Sequence, residues 1–305
     1  AAGSPVGSEN RIEYVTIAYA GNAADFGDRT VSTDLQAGAS NSIRGIVAGG
    51  RTPSLQNVID YTTIMSVGNA TDFGDLTQAR WGVSAVASPT RMLFAGGATP
   101  SEVNTTDFVE IMTTGNAVDF GDLTVTGYMP SNQISSSTRG VYQGIYNGGN
   151  DGRIQYFTIA SQGNAIDYGD LSVTRDSTSG CSNSVRGILL GGQNTSGNAV
   201  NTIDFNIIAT GGTSTDFGDT TEVRGAKTSS ASQSHGGLCD GYLGTRPLPI
   251  GNIGRALFAG GFTPSLVKKI DTVLIPTLGN AADFGDLTQN MRGLAGNSSS
   301  TRAVF

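Results

Sequence analysis

Apolar residues in this chain come in short runs, never at the three-to-four spacing of an amphipathic helix. Arg91-Met92-Leu93-Phe94-Ala95 is one such run, and it stops at Gly96-Gly97. It has counterparts at Arg44–Gly50, Arg186–Gly192 and Arg255–Gly261. A short apolar run closed by Gly-Gly predicts a strand and a turn. Val58-Ile59-Asp60-Tyr61-Thr62-Thr63-Ile64 is rich in β-branched and aromatic residues and predicts a second strand. A third element runs from Asp72-Phe73-Gly74-Asp75 into Leu76-Thr77, and a fourth, Trp81–Val86, is small and apolar.

These elements recur. An Asp-aromatic-Gly-Asp core begins at Asp25, Asp72, Asp119, Asp167, Asp216 and Asp283, in steps of 47, 47, 48, 49 and 67 residues. From the strand aromatic position to that Asp is 11 residues in all six units, from Tyr14/Asp25 and Tyr61/Asp72 round to Thr272/Asp283. Four short strands per unit of about 48 residues is the period and strand count of a propeller blade. The expected fold is all-β: one six-bladed β-propeller of four-stranded blades over residues 1–305. Joined tail to head, Thr301–Phe305 and Ala1–Pro5 restore the repeat in register. N- and C-terminal strands are therefore expected to share one blade and close the ring, leaving no exposed sheet edge. Completion of that blade by a neighbouring molecule, giving a polymer, is the alternative.

Composition narrows the partners. The net charge is −7, and Lys227, Lys268 and Lys269 are the only lysines among 305 residues. Nucleic acid normally requires a basic stripe, so it is not expected as a partner. No apolar run reaches the roughly 18–20 residues of a membrane span. Cys181 and Cys239 cannot make a disulfide framework and read as two free thiols.

The repeated residues invite chemical readings. Asp-Phe-Gly-Asp with a nearby Asn could offer oxygens to calcium. The stronger reading is a tight turn, because Asn and Asp bond their own backbone and Gly supplies unusual dihedrals. No metal or cofactor is expected. Arg44, Arg91, Arg139, Arg186, Arg255 and Arg302 each begin the strand before Gly-Gly. Each is expected to pair with the Asp-aromatic-Gly-Asp residues of its own blade, Arg44 with Asp72 or Asp75 and so on round to Arg302 with Asp25 or Asp28. A ring of ligand-binding arginines is the functional alternative. A carboxylate precedes the strand aromatic at Glu13, Asp60, Asp107, Asp204 and Asp271, with Gln155 as the exception. It is expected to cap backbone amides near the Gly-Gly turn.

Three irregularities break the symmetry. The fifth unit carries an insertion over about residues 235–253, with His235, Cys239, Tyr242 and Arg246. His235, Tyr242 and Arg246 are the candidate binding residues. The insertion falls between strands one and two, near the ring axis. The third unit, at Val141–Tyr146, reads as a lengthened second strand, and Gln193–Asn201 is a longer loop in the fourth. Catalysis has little support: a single His in a Gly-rich loop offers no triad, and no His or Cys cluster suits zinc.

The order strand, Gly-Gly, strand with Tyr61, aromatic, later Arg80, Arg175 or Arg224, small apolar strand resembles the kelch repeat, with Phe73 where kelch repeats carry Trp. The run Ile59-Asp60-Tyr61-Thr62-Thr63-Ile64, followed by Gly68-Asn69-Ala70-Thr71-Asp72-Phe73-Gly74-Asp75-Leu76-Thr77, is similar to repeats in tail-fibre and other virion structural proteins of bacteriophages, notably marine ones. The resemblance covers essentially the whole chain. It implies a non-enzymatic structural or adhesion protein, virion-borne or extracellular. Such a protein would meet other virion proteins or a host-surface glycan or receptor through its loops, with homo-oligomerisation left open. A free carbohydrate-binding lectin is the rival expectation, and a glycan hydrolase a distant third.

Overall fold

The computed structural model describes residues 9–128, 134–225, 228–232, 254–263 and 265–305. The chain forms a ring of six antiparallel blades, with no helix among the described residues. Blade 1 is built from Asn297–Ser298, Arg302–Val304, Glu9–Thr16 and Ala24–Thr33, from the axis outward. Blade 2 is Ala37–Ser40, Arg44–Ala48, Val58–Thr63 and Thr71–Asp75. Blade 3 is Ser84–Ala87, Arg91–Ala95, Thr105–Glu110 and Val118–Asp122. Blade 4 is Ile134–Ser135, Arg139–Tyr142, Arg153–Thr158 and Ile166–Asp170. Blade 5 is Ser179–Ser182, Arg186–Leu190, Thr202–Ile207 and Thr215–Asp219. Blade 6 is Ser229–Ser232, Arg255–Ala259, Ser265–Leu274 and Ala282–Met291.

The ring closes within one chain. Tyr14 pairs with Val304, Val15 with Ala303 and Thr16 with Arg302. The amide of Glu13 donates to the carbonyl of Phe305 at 3.0 Å, and the amide of Phe305 returns a bond of 2.8 Å. Two inner strands from one end of the chain and two outer strands from the other share blade 1. No neighbouring molecule is needed to complete it.

The Asp-aromatic-Gly-Asp core is not a turn. It forms the outermost strand of each blade, with a bulge that leaves the aromatic opposite no partner: Ile59 pairs with Gly74 and Asp60 with Asp72. The bulge turns Phe73 into the core while Asp72 stays exposed. The glycine serves close approach. A Cβ on Gly74, at φ +146°, would lie 2.5 Å from the backbone of Gly115 in the next blade. That contact is the outer weld of the ring. The amide of Gly115 donates to the Phe73 carbonyl at 2.8 Å, and the amide of Ala117 to the Asp75 carbonyl at 2.8 Å. The side chain of Asn116 accepts the amide of Asp75 at 3.1 Å. The corresponding backbone bonds join all six blades, from Phe26/Gly68 to Phe284/Gly21.

The repeat arginines correct a second expectation. Their guanidinium groups do not turn to the Asp residues of their own outer strands. Each is half-buried and reaches across to the next blade. Arg44 donates to the carbonyl of Ile111, Arg91 to Ala160, Arg139 to Ile208, Arg186 to Ile275, Arg255 to Ile17 and Arg302 to Ile64, at 2.8–3.1 Å. The expected pairing overlooked the fact that the outer strand turns Asp25, Asp72, Asp119, Asp167, Asp216 and Asp283 outward, where all six are exposed. A carbonyl left unpaired where the neighbouring third strand ends is the nearer acceptor, and a charge-assisted bond to it is strong.

The carboxylates before the strand aromatic are buried, and they are held by the preceding blade rather than by the Gly-Gly turn. Arg29 meets Asp60 at 3.1 Å, Arg80 meets Asp107 at 2.9 Å, Arg175 meets Asp204 at 2.9 Å and Arg224 meets Asp271 at 3.1 Å. Thr77 adds its amide and hydroxyl to Asp107 at 3.1 and 2.7 Å. Burial lowers the pKa of Arg29, Arg80 and Arg224, and the facing Asp partly restores each. The exception in the repeat explains itself. Gln155 lacks a charge, and the position equivalent to Arg80 in the preceding unit is Gly127. Thr124 still donates its amide and hydroxyl to Gln155, at 2.7 and 2.9 Å. Acid and base are lost together at that seam, which avoids a buried unpaired charge.

The third unit also reads differently in three dimensions. Its second strand, Arg139–Tyr142, is not lengthened. Gly144, at φ +67°, takes the turn position that Gly49 holds at +68°. The Gly148-Gly149 pair belongs to a small hairpin beyond it, where Ile145 pairs with Asp151.

Candidate binding face

In a four-stranded meander the 2–3 and 4–1 connections emerge at one end of the ring. The 1–2 and 3–4 connections emerge at the other. The axis itself offers no site among the described residues. The innermost strands are buried along their whole lengths and built from Ala, Gly and Ser with few larger residues. Serine hydroxyls sew neighbouring strands together. Ser40 donates to the Ser298 carbonyl at 2.9 Å, Ser182 to Ser135 at 2.9 Å and Ser232 to Ser182 at 2.7 Å. Cys181 lies in this wall as a buried free thiol, its pKa pushed up by burial. That suits a structural thiol rather than a reactive one. The other cysteine, Cys239, lies outside the described residues.

The end bearing the 2–3 and 4–1 connections is where the repeat varies. Nine residues beyond the first Asp of each core motif stand Asp34, Trp81, Tyr128, Asp176, Gly225 and Arg292. In five of the six the backbone makes the same bridge. These residues bridge to the segment after the Gly-Gly turn: Asp34 to Arg51, Trp81 to Ala98, Tyr128 to Tyr146, Asp176 to Gln193 and Gly225 to Phe262. The next residue turns inward at positive φ, as Leu35 (60°), Gly82 (68°), Ser177 (53°) and Gly293 (73°). One backbone device thus carries Asp, Trp, Tyr, Asp and Gly in turn.

Three of those blades bring their side chains into one column. The guanidinium of Arg51 lies 4.9 Å over the ring of Trp81. Trp81 packs on Tyr128 at 4.8 Å and 41°, and Tyr128 stacks on Tyr146 at 4.9 Å and 27°. Asp34 holds Arg51 at 3.3 Å from the other side. All three rings are half-buried. The internal ring faces cover one another, and the remaining exposure is shared among the three half-buried rings. The column carries one indole N–H and two phenol hydroxyls, which favour a wet, amphipathic contact. Burial, aided by Asp176, Tyr146 and Glu102, pushes the Tyr128 phenol up to about 12, so it remains a donor at neutral pH.

Asp176 lies beside the column. It is buried, burial raises its pKa, and a hydrogen bond from Ser177 opposes the rise. Its Oδ1 has no hydrogen-bond partner, and neither does the hydroxyl of buried Thr178. In the seam between blades 1 and 2, a cavity of about 30 Å³ beside Arg29 and Asp60 is large enough for one water.

His235, Tyr242 and Arg246, expected as binding residues, lie outside the described residues. Trp81, Tyr128 and Tyr146 were not expected to act together. Their signal in the sequence is faint: the only Trp and two tyrosines, at positions that carry Asp, Gly, Arg, Ala or Gln in most other units. Among the described residues no group of three or more His, Cys, Asp or Glu could hold a metal ion. No described helix is long and apolar enough to cross a membrane. No protein-family model matches the chain, and neither does any curated protein.

Proposed function

We propose that this propeller is a non-enzymatic adhesion or structural component of a phage-like particle, a tail fibre or appendage. In this reading it contacts a host-surface glycan through the end of the ring bearing the aromatic column. The observation that carries the proposal is the column itself. Arg51, Trp81, Tyr128 and Tyr146 stand at positions that vary from unit to unit, and they meet in one half-buried stack. The indole N–H, the phenol hydroxyls and the Arg51–Asp34 pair are groups able to hydrogen-bond sugar hydroxyls, while the rings exclude some water. The order of elements fits the kelch-like reading, and the repeat motif fits the resemblance to virion proteins.

A non-catalytic role is supported by how the buried acids are used. Asp60, Asp107, Asp204 and Asp271 are consumed in the seams between blades, a role that repeats round the ring. A free lectin would use the same column. Location on a particle, by labelled antibody in electron micrographs, separates the two. The direct test is a glycan array with the intact chain and with Trp81→Ala and Tyr128→Ala. Binding to a defined set of glycans, lost in both variants with unchanged melting, supports the reading. Binding that survives both variants removes it.

A further inference from the structure

In five blades the arginine that opens the second strand stacks on a ring carried by the third strand. Arg44 lies 4.4 Å over Tyr61, Arg91 5.1 Å over Phe108, Arg139 4.5 Å over Tyr156, Arg186 4.5 Å over Phe205 and Arg302 4.5 Å over Tyr14. The same third-strand ring meets the outer-strand aromatic edge-on, as Tyr61 meets Phe73 at 6.0 Å. Blade 6 departs from the pattern: its third-strand position is Thr272. There Arg255 lies 6.0 Å from the ring of Phe284, on the outer strand. A cavity of about 250 Å³ opens beside Arg255 and Thr272. Buried Phe217 and Val273 line it, and the exposed hairpin residues Leu278 and Asn280 stand at its rim.

We infer that this cavity is a binding site for a single planar aromatic ring, of tyrosine size, delivered from outside the chain. Three lines converge on that ligand class. The first is the internal template, since five copies of the same backbone hold such a ring against the same arginine. The second is size, since a volume of 250 Å³ is below the roughly 300–1,000 Å³ of sites for drug-sized ligands. The cavity suits a fragment of one ring. The third is chemistry. A guanidinium beside an apolar floor rewards a ring face through cation–π attraction and burial, and Leu278, 62% exposed at the mouth, adds apolar contact on entry. The site lies at the end bearing the 3–4 connections, away from the column, and does not depend on the adhesion reading.

The probe is p-cresol, the tyrosine side chain without its backbone. Titrated into the intact protein and followed by backbone amide NMR, it is expected to shift resonances of residues 272–282 and of Phe217. Thr272→Tyr supplies the ring internally, as Tyr61 does. It is expected to weaken p-cresol binding by roughly tenfold or more and to raise the melting temperature. Thr272→Ser should bind as the parent does. A Gly-Tyr-Gly tripeptide in a parallel titration separates sources: binding matching p-cresol assigns the site to a partner's aromatic side chain, and p-cresol binding alone assigns it to a free small aromatic. If Thr272→Tyr does not fold, a p-cresol soak of parent crystals decides by density between Arg255 and Phe217. Absence of p-cresol from the cavity, or undiminished binding to a folded Thr272→Tyr, overturns the inference.

Discussion

The seams between blades and the end bearing the aromatic column are parts of the same repeat unit, yet they obey opposite rules. In the seams, residue types recur because each one is an answer to a geometric demand made in blade after blade. Gly74 must let Gly115 approach, Asp107 must receive Arg80, and Arg44 must reach the end of the next blade. At the column end the backbone recurs and the side chains do not. The same bridge carries Asp34, Trp81, Tyr128, Asp176 and Gly225 in turn. Repetition marks where the ring is held together, and variation on a constant backbone marks where the molecule meets something else.

That contrast predicts unequal costs of substitution. The largest should fall on the charged seams. Arg80→Met leaves Asp107 buried without its cation and should cost about 3–5 kcal/mol in denaturant unfolding. Adding Asp107→Gln should recover much of that loss, because the seam of Gln155 and Gly127 is uncharged in the protein as it stands. If the double variant is no more stable than Arg80→Met alone, the paired loss of charge at the Gln155 seam has another cause.

Next comes the outer weld. Gly74→Ala puts a Cβ 2.5 Å from the Gly115 backbone at a φ of +146°. Backbone cannot move aside as a flexible side chain could, so about 3 kcal/mol of stability should be lost. Equivalent changes at Gly27, Gly121 and Gly285 should cost similar amounts, since each meets the same backbone. Unequal melting losses across those four would show that the blades are less interchangeable than the geometry implies. Arg44→Ala should cost about 2 kcal/mol. It removes a charge-assisted bond to the Ile111 carbonyl and a stack on half-buried Tyr61. Calorimetric melting of Arg44→Ala beside Arg44→Lys separates the two parts, since Lys keeps the charge and loses the planar stack.

How much of this was legible in the sequence follows the same division. The blade count, the strand order and the closure of blade 1 could be read from spacing alone, because strands of fixed length impose a period. The partners of the repeated residues were harder to see. Asp, Gly and Asn are turn formers, so Asp72-Phe73-Gly74-Asp75 read as a turn. The strand here uses Gly74 for approach to a neighbouring chain segment that lies 41 residues further on. Arg44 was matched within its own blade, whereas its acceptor is in the next. In a ring the shortest route between charges often crosses a seam, and intra-unit spacing does not show it. Gln155 did carry a readable hint, as the one uncharged residue at its position in the six units. The column left almost none, because a site built from differences has no repeat to betray it.

The smallest effect belongs to Asp176, and it tests whether the column end gives up stability for its function. This carboxyl is buried beside Tyr128 with one oxygen unpartnered, and burial raises its pKa. A raised folded-state pKa means that the folded protein holds the proton more tightly than the unfolded chain does. Its contribution therefore favours folding at acid pH, where the group is neutral in both states. That contribution is lost as pH rises through the folded pKa and the charge must be carried in a dry setting. Asp176→Asn removes the charge while keeping the shape. It should raise the melting temperature at neutral pH, by the equivalent of about 1 kcal/mol, and the gain should fade as the pH drops into the ordinary carboxylate range. The same substitution in the seams, Asp107→Asn, should do the reverse at neutral pH, because there the carboxylate answers Arg80. Opposite signs for one chemical change would place the two regions under different selection, one for holding the ring and one for what the ring presents. If Asp176→Asn instead destabilises the protein at neutral pH, Asp176 belongs with the seams and the division between the two regions lies elsewhere.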